Sequence, residues 1–332
     1  MKVFSVVGNR PQFIKSAPMS LALREAGIDE VVLHTGQHWD PEMSQVFFDE
    51  LGIREPAYRL DLRTADAVAM ALPIREAIEA ERPDWVLVYG DTNTTLAGAH
   101  AAGEEVPVAH VEAGLRSFDL SMPEERNRIE VDRLSALLFC PDERSAAQLE
   151  REGVLGRRVV VGDVMADATR IFAPLATTPF EPGYTVLTIH RQANTEPDRL
   201  REIVDAVNAV DRRFVFPVHP RTRHALGDLR LGAHVEAIDP LGYLEMLALV
   251  RTADAVVTDS GGLQKEAYWL SVPCVTVRPN TEWVATVEVG ANRLAEPVDL
   301  AAALASASFP ADAPPLYGDG FAAEKIAAAL YA

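Results

Sequence analysis

The feature that most constrains this chain is a repeated alternation. A short apolar, β-branched run breaks at glycine and polar residues, and a stretch with helical spacing follows. Residues 2–7 end in Gly8-Asn9-Arg10-Pro11. After them, 13–26 place Ile14, Ala17, Met19, Leu21 and Leu23 at helical spacing and stop at Gly27. The runs 30–35, 85–89, 106–111, 137–140 and 159–161 read as further strands, and 42–51, 66–80 and 96–103 as helices. A second series begins near Tyr184. Its strands are expected over 186–189, 214–218, 235–238, 255–258 and 274–277, and its helices over 198–210, 243–252, 263–270 and 321–330. Strands alternating with helices predict an α/β fold on mainly parallel sheets. At about 100–200 residues per domain, 332 residues suggest two, and 172–183, with Pro174, Pro179 and Pro182, is the candidate linker. The expected domains are then 1–171 and 184–316. Two such domains facing each other would make a cleft walled by strand ends.

A net charge of −18, from 49 acids against 31 lysines and arginines, argues against a nucleic-acid partner. It leaves room for a small anionic ligand held by a local basic cluster. Cys140 and Cys274 each sit beside a proline and an apolar run, and read as buried free thiols. No spacing of His, Cys and Asp resembles a zinc site, and there is no GxSxG elbow. The first loop is neither GxGxxG nor a P-loop, so nicotinamide and ATP lack their signatures. The chain opens directly on a strand pattern and has no apolar run near the roughly 18 residues of a membrane span. A soluble, cytoplasmic protein with no membrane partner is expected.

The chemistry gathers at strand ends. The stretch HVEAGLRSFDLSMPEERNR (110–128) holds Glu112, Glu124 and Glu125, flanked by Arg116 and Arg128, with Gly114 at the turn. Taken alone it reads better as a solvated loop, with a helix starting at Pro123 and acids in its first turn. Asp91, in GDTNTT (90–95), reads equally well as a helix cap. Asp91, Glu112 and Glu124 together would give several acids in one site, which environment can divide into proton donor and acceptor. Ser260-Gly261-Gly262 opens the helix bearing Glu266. Its missing side chains let backbone N–H groups approach phosphate, although an ordinary strand-to-helix turn capped by Asp259 or Ser260 explains a lone SGG more often. His190 and His219 each follow a strand with arginines close by, which favours an anionic ligand. Arg10 and Lys15 lie on the first loop and helix start.

Together these motifs resemble the non-hydrolysing UDP-N-acetylglucosamine 2-epimerase family over essentially the whole chain. The matching stretches are GNRPQFIK (8–15), HTGQH (34–38), YGDTNTTLAG (89–98), HVEAGLRS (110–117), PEERNR (123–128), IHR (189–191), PVHPRTR (217–223), DSGGLQKEA (259–267) and YGDG (317–320). The resemblance implies a GT-B architecture of two Rossmann-like domains, with UDP in the cleft and the last helix, 321–332, packed back on the first domain. It implies no metal, no cofactor and a homodimer. The implied reaction eliminates UDP as the C2 proton leaves, giving a 2-acetamidoglucal. UDP then re-adds at C1 while a proton reaches the other face of C2. By resemblance Asp91, Glu112 and Glu124 transfer protons and His190 assists UDP departure. Arg10, Ser260, Gly261, Gly262 and Glu266 hold UDP, with Lys15 and Arg116 in support. Gln37 and His219 match residues that partly hold a second, activating UDP-N-acetylglucosamine in bacterial members.

The chain departs from the family at Gln12, where glutamate is usual, at Ala193, where an acid is missing, and over 61–70, which is short and lacks glycines. Several details resemble a branch that also epimerises UDP-2,3-diacetamido-2,3-dideoxyglucuronate. Arg221, Arg223 and Arg278 are candidate donors for such a uronate's carboxylate. Phosphate binding or surface charge explains them slightly better. UDP-N-acetylglucosamine is therefore the expected substrate, with the uronate second. A GT-B glycosyltransferase and a non-catalytic nucleotide-sugar binder are the competing classes.

Overall fold

The computed structural model describes residues 1–37, 51, 53 and 55–331. The helix expected over 42–51, apart from Leu51, and its stop at Gly52 lie outside them. The chain forms two compact units, one of 1–171 with 317–332 and one of 172–316.

The first unit is a seven-stranded parallel sheet. Its strands are β1 (Lys2–Val7), β2 (Asp29–His34), β3 (Tyr58–Arg59), β4 (Trp85–Tyr89), β5 (Val108–Val111), β6 (Leu137–Cys140) and β7 (Arg157–Val160), in the order β3-β2-β1-β4-β5-β6-β7. A parallel sheet needs both faces covered, so its central strands read as continuous apolar runs. On one face Phe4, Val6, Val86 and Val88 pack with Met70, Ile74 and Ile78 of helix Ala67–Glu81. Helix Asn93–Ala102 adds Ala97 and Ala101. That helix lies close because position 98 is glycine: a Cβ there would sit 2.9 Å from a Val88 methyl and 3.2 Å from Val6 Cβ.

The chain's end returns to this unit. Asp163 N donates to Tyr317 O at 2.7 Å, and a Cβ on Gly162 would lie 3.0 Å from Gly318 Cα. Helix Ala322–Leu330 has no side-chain cap of its own. Asp167 supplies one, taking the N–H groups of Ala322 at 3.1 Å and Ala323 at 2.8 Å. Arg170 donates to Gly320 O at 2.7 Å and stacks on Phe321, 4.3 Å from the ring centre.

The second unit has six parallel strands: β8 (Thr185–Thr188), β9 (Phe214–Pro217), β10 (Val235–Ile238), β11 (Ala255–Thr258), β12 (Cys274–Thr276) and β13 (Asn292–Leu294). Their order is β10-β9-β8-β11-β12-β13. Leu187, Phe216 and Val257 face one core with Leu200, Ile203 and Val204, while Val186, Val215 and Val256 face the other with Leu249 and Leu263. In both sheets the order reverses beside the first strand, at β1/β4 and β8/β11. Open α/β sheets bind ligands at that switch point.

Two edge strands, β3 and β13, have no apolar run to announce them, being two and three residues long and mostly not buried. Pro220–Leu226 is a helix with Pro220 in its first turn and the His219 side chain accepting from Arg221 N at 3.1 Å, where the sequence reading saw only polar loop. The proline-rich stretch 172–183 belongs to the second unit, where Arg251 donates to Ala173 O and Ala176 O at 2.8 and 3.0 Å. No helix among the described residues is long and apolar enough to cross a membrane.

Burial lifts the Asp167 carboxyl from its ordinary 3.8 to about 6, despite the two N–H bonds it accepts. A folded-state pKa above the unfolded value means a stabilising contribution that is complete below about pH 4 and lost as pH rises through about 6. Asp167→Asn has no such dependence. Its Tm, relative to wild type, should climb between pH 4 and 7, and a flat difference in a thermal-shift series would refute the assignment.

Candidate active site

At the first switch point one side chain joins the loops that follow β1 and β4. Gln12 Oε1 accepts from Gly8 N at 2.8 Å, while its amide nitrogen lies 3.1 Å from Tyr89 O and Thr92 Oγ1 and 3.0 Å from Thr95 Oγ1. A glutamate could not donate to the Tyr89 carbonyl, so the departure at this position has a local use. Thr94 Oγ1 donates to Gln37 Oε1 at 2.7 Å and meets Thr35 Oγ1 at 3.0 Å. Arg10 is the half-buried first residue of helix Arg10–Glu25.

Two of the three expected carboxylates carry a cation from another part of the unit. Glu112 pairs with Lys15, and both side chains are largely buried. Glu112 also has φ +73°, uncommon for a residue with a Cβ. Its N–H and that of Ala113 both reach Phe139 O, at 3.1 and 3.0 Å, which fixes the turn. The pair lies beside Gly90, where a Cβ would stand 3.2 Å from Lys15 Nζ and 3.5 Å from Glu112 Oε2. Asp91 pairs with Arg128, and Asn127 donates to Asp91 O at 3.1 Å.

The two adjacent glutamates of helix Pro123–Leu134 divide. Glu125 is buried, accepts from Ser117 N and Phe118 N at 2.9 Å each, and meets Arg128 at 2.8 Å. Glu124 is exposed in the helix's first turn and, among the described residues, meets no cation. A helix N-terminus favours the charged carboxylate there.

Behind these groups runs a buried polar chain. His110 Nε2 meets Gly90 O at 2.7 Å and Nδ1 meets Asp132 at 2.8 Å. Asp132 also pairs with Arg116 at 2.7 Å, and Arg116 reaches Glu152 at 2.6 Å. Arg116, expected by resemblance to support the site, has its guanidinium enclosed by Asp132, Glu152 and Leu115 O, and through Asp132 it joins the frame around Gly90.

In the second unit Asp259, read from sequence as a possible cap, is the anchor. It is buried and accepts from His190 N at 3.0–3.1 Å, Arg191 N at 2.9 Å, Asn194 Nδ2 at 3.1 Å and His190 Nδ1 at 3.2 Å. Burial would raise its pKa. The bond and charge of His190, with the Arg191 and Asn194 donors, outweigh burial and hold the carboxyl below its usual range. His190 is thereby oriented through Nδ1, with Nε2 outside that bond. The His219 ring lies 5.6 Å away, and Arg221 donates to His190 O at 3.0 Å.

Ser260 caps helix Gly261–Trp269 through a 3.4 Å bond from Leu263 N, and Glu266 is buried in the same helix. Beside it Arg278 grips Glu282 with both ends of its fork, at 2.9 and 3.0 Å, and Arg191 approaches at 3.6 Å. Burial opposes the charge on Glu282, but the two arginines draw its pKa down to about 2. Lys265 Nζ lies 3.8 Å over the Trp283 ring. The thiols of Cys140 and Cys274 are pushed up to about 12, chiefly by burial, which leaves them unreactive.

A Rossmann order in both sheets, with acids at one switch point and a glycine-rich helix start at the other, defines a nucleotide-sugar enzyme of the GT-B class. The UDP-N-acetylglucosamine 2-epimerase family model matches residues 21–331, and the chain belongs to that family. It is 47% identical, over 89% of its length and 88% of the relative's, to the UDP-2,3-diacetamido-2,3-dideoxy-D-glucuronate 2-epimerase of Pseudomonas aeruginosa. To the UDP-N-acetylglucosamine 2-epimerase of Methanocaldococcus jannaschii it is 40% identical, again over 89% and 88% of the two chains. A crystal structure of the M. jannaschii UDP-GlcNAc 2-epimerase in complex with UDP-GlcNAc and UDP superposes with TM-score 0.86 at 36% identity, covering 100% of this chain and 99% of that one.

Gly262 offers a clean test of the helix start. A Cβ there meets only Ser260 Oγ, 3.9 Å away, whereas one on Gly261 would press on Trp283 at 3.3 Å. If the diphosphate docks on these N–H groups, Gly262→Ala should keep the Tm of wild type while UDP affinity falls by about tenfold or more, because the methyl blocks that approach. Unchanged affinity by calorimetry would place the diphosphate elsewhere.

Proposed function

We propose that this chain inverts C2 of UDP-N-acetylglucosamine, giving UDP-N-acetylmannosamine through elimination and re-addition of UDP. The observation that carries this reading is the arrangement of the acids. Asp91 and Glu112 are each held by their own cation, and exposed Glu124 stands apart on a helix N-terminus. Proton removal from one face of a carbon and delivery to the other requires differently placed carboxyl groups.

In the forward step a carboxylate takes the C2 proton, and the C1–O bond breaks with its electron pair leaving on UDP. The C1=C2 double bond forms as it does so. Charge develops on the departing phosphate, and His190, oriented by Asp259, donates to it through Nε2. The N–H groups of Gly261 and Gly262, with Ser260 and Arg10, hold the diphosphate, and Glu266 accepts from the ribose. Re-addition reverses these events, with the proton arriving on the opposite face of C2. Lys15 and Arg128 keep Glu112 and Asp91 in place throughout.

A second reading has one specific support, the 47% identity to the diacetamidoglucuronate enzyme. The three arginines considered for a C6 carboxylate differ in what they have left to give. Arg278 is held at both ends by Glu282, and Arg223 binds Ile238 O and Asp239. Arg221 is exposed, and among the described residues its side chain makes one bond, to His190 O, so it is the candidate donor. The neutral sugar needs no such cation, and with two of the three arginines committed to other partners it stays the first reading.

Incubation with UDP-N-acetylglucosamine in heavy water should place deuterium at C2 with no acceptor present, and absence of exchange on both this substrate and the diacetamidoglucuronate would defeat the epimerase reading. Asp91→Asn, Glu112→Gln and Glu124→Gln should each lower kcat by about 10²–10⁴ with UDP affinity little changed. Near-wild-type turnover in all three would remove their roles. The sugar is decided by kcat/KM on the two substrates. A clear preference for the uronate, abolished by Arg221→Ala, would exchange the two readings.

A further inference from the structure

Between Glu112 and Glu124 the backbone is fixed while the largest side chain stands in solvent. Phe118 has φ +59°, a left-handed conformation that glycine and asparagine adopt readily and a bulky residue rarely does. The conformation is enforced. Ser117 N and Phe118 N both donate to buried Glu125, Ser121 N and Oγ bind Asp119 at 2.9 and 2.6 Å, and Arg126 donates to Leu120 O at 3.3 Å. Glu125 is in turn joined through Arg128 to Asp91. The Phe118 backbone is thus one carboxylate and one guanidinium from a proposed proton-transfer group, and it sits against the helix turn that bears Glu124. Its ring is 76% exposed. Glycine would make this turn with less strain, and a strained backbone displaying a phenyl ring contributes nothing to packing. Strain of this kind collects at functional sites.

We propose that Phe118 is a substrate-contact residue that covers the apolar face of the sugar and the methyl of its C2 acetamido group. The inference rests on the epimerase reading. Its physical reason lies in the elimination step. Once the C1–O bond has broken, the unsaturated sugar is neutral and no longer tethered to UDP. Contacts to its ring alone retain it until UDP re-adds, and an aromatic face against sugar C–H groups provides them without competing for the diphosphate donors.

Phe118→Gly and Phe118→Asn suit the left-handed backbone, so in both the Tm should hold or rise. In both, kcat/KM should fall by about tenfold or more. Free UDP and 2-acetamidoglucal should be released in a larger share per turnover, read by chromatography of the quenched reaction. UDP affinity by calorimetry should not change. A kcat/KM within about twofold of wild type in both variants, unchanged release of the glycal, or a lower Tm in both would each overturn the proposal. Wild-type enzyme in heavy water separates the two levels of inference. No deuterium at C2 of either UDP-sugar would sink the epimerase reading itself, whereas normal wild-type exchange with normal Phe118 variants would sink only the role of the ring.

Discussion

The bond between His110 and Asp132 is the interaction on which the strand-end loops of the first unit depend. Both residues are buried, and each binds something the sheet alone would not fix. His110 holds the Gly90 carbonyl, and so the turn that presents Asp91. Asp132 holds Gly114 N and Arg116, and so the turn that follows Glu112. A buried polar network of this sort is costly to break singly, because the surviving partner is left unpaired. One hydrogen-bonded pair thereby sets the geometry of two strand-end loops, and Gln12 ties in a third.

Much of this was legible in the sequence, for identifiable reasons. Central strands buried on both faces, such as Trp85–Tyr89 and Ala255–Thr258, appear as uninterrupted apolar runs. Edge strands β3 and β13 do not, since nothing covers them fully. Spacing placed acids, histidines and glycines at strand ends, but it could not separate Glu124 from Glu125. Neighbours on a helix point about 100° apart, and only the fold shows which one faces inward. Asp259 looked like a cap because the bonds it accepts from His190 and Asn194 cross some 65–69 positions of chain. Resemblance assigns Arg116 to the site, and Arg278 is a candidate donor because it follows a strand, but each is held by a carboxylate. Their partners, Glu152 and Glu282, lie 36 and 4 residues away and carried no sign of pairing.

The strong negative charge of the chain and its anionic ligand are compatible for a related reason. The cations at the two switch points are held in place by particular carboxylates, Lys15 by Glu112, Arg128 by Asp91 and Glu125, and Arg278 by Glu282. On the function proposed above, what greets a phosphate is the set of N–H groups at Ser260-Gly261-Gly262, whose partial charges do not enter a count of side chains.

The return of residues 317–332 to the first unit makes the second unit an insertion within the first. On a ribosome, 172–316 are complete while the first unit still lacks the helix whose N–H groups Asp167 caps and the glycine that Gly162 lies against. Vectorial folding normally lets an N-terminal domain finish first; here the unit that carries the acids can close only after residues 317–330 have emerged.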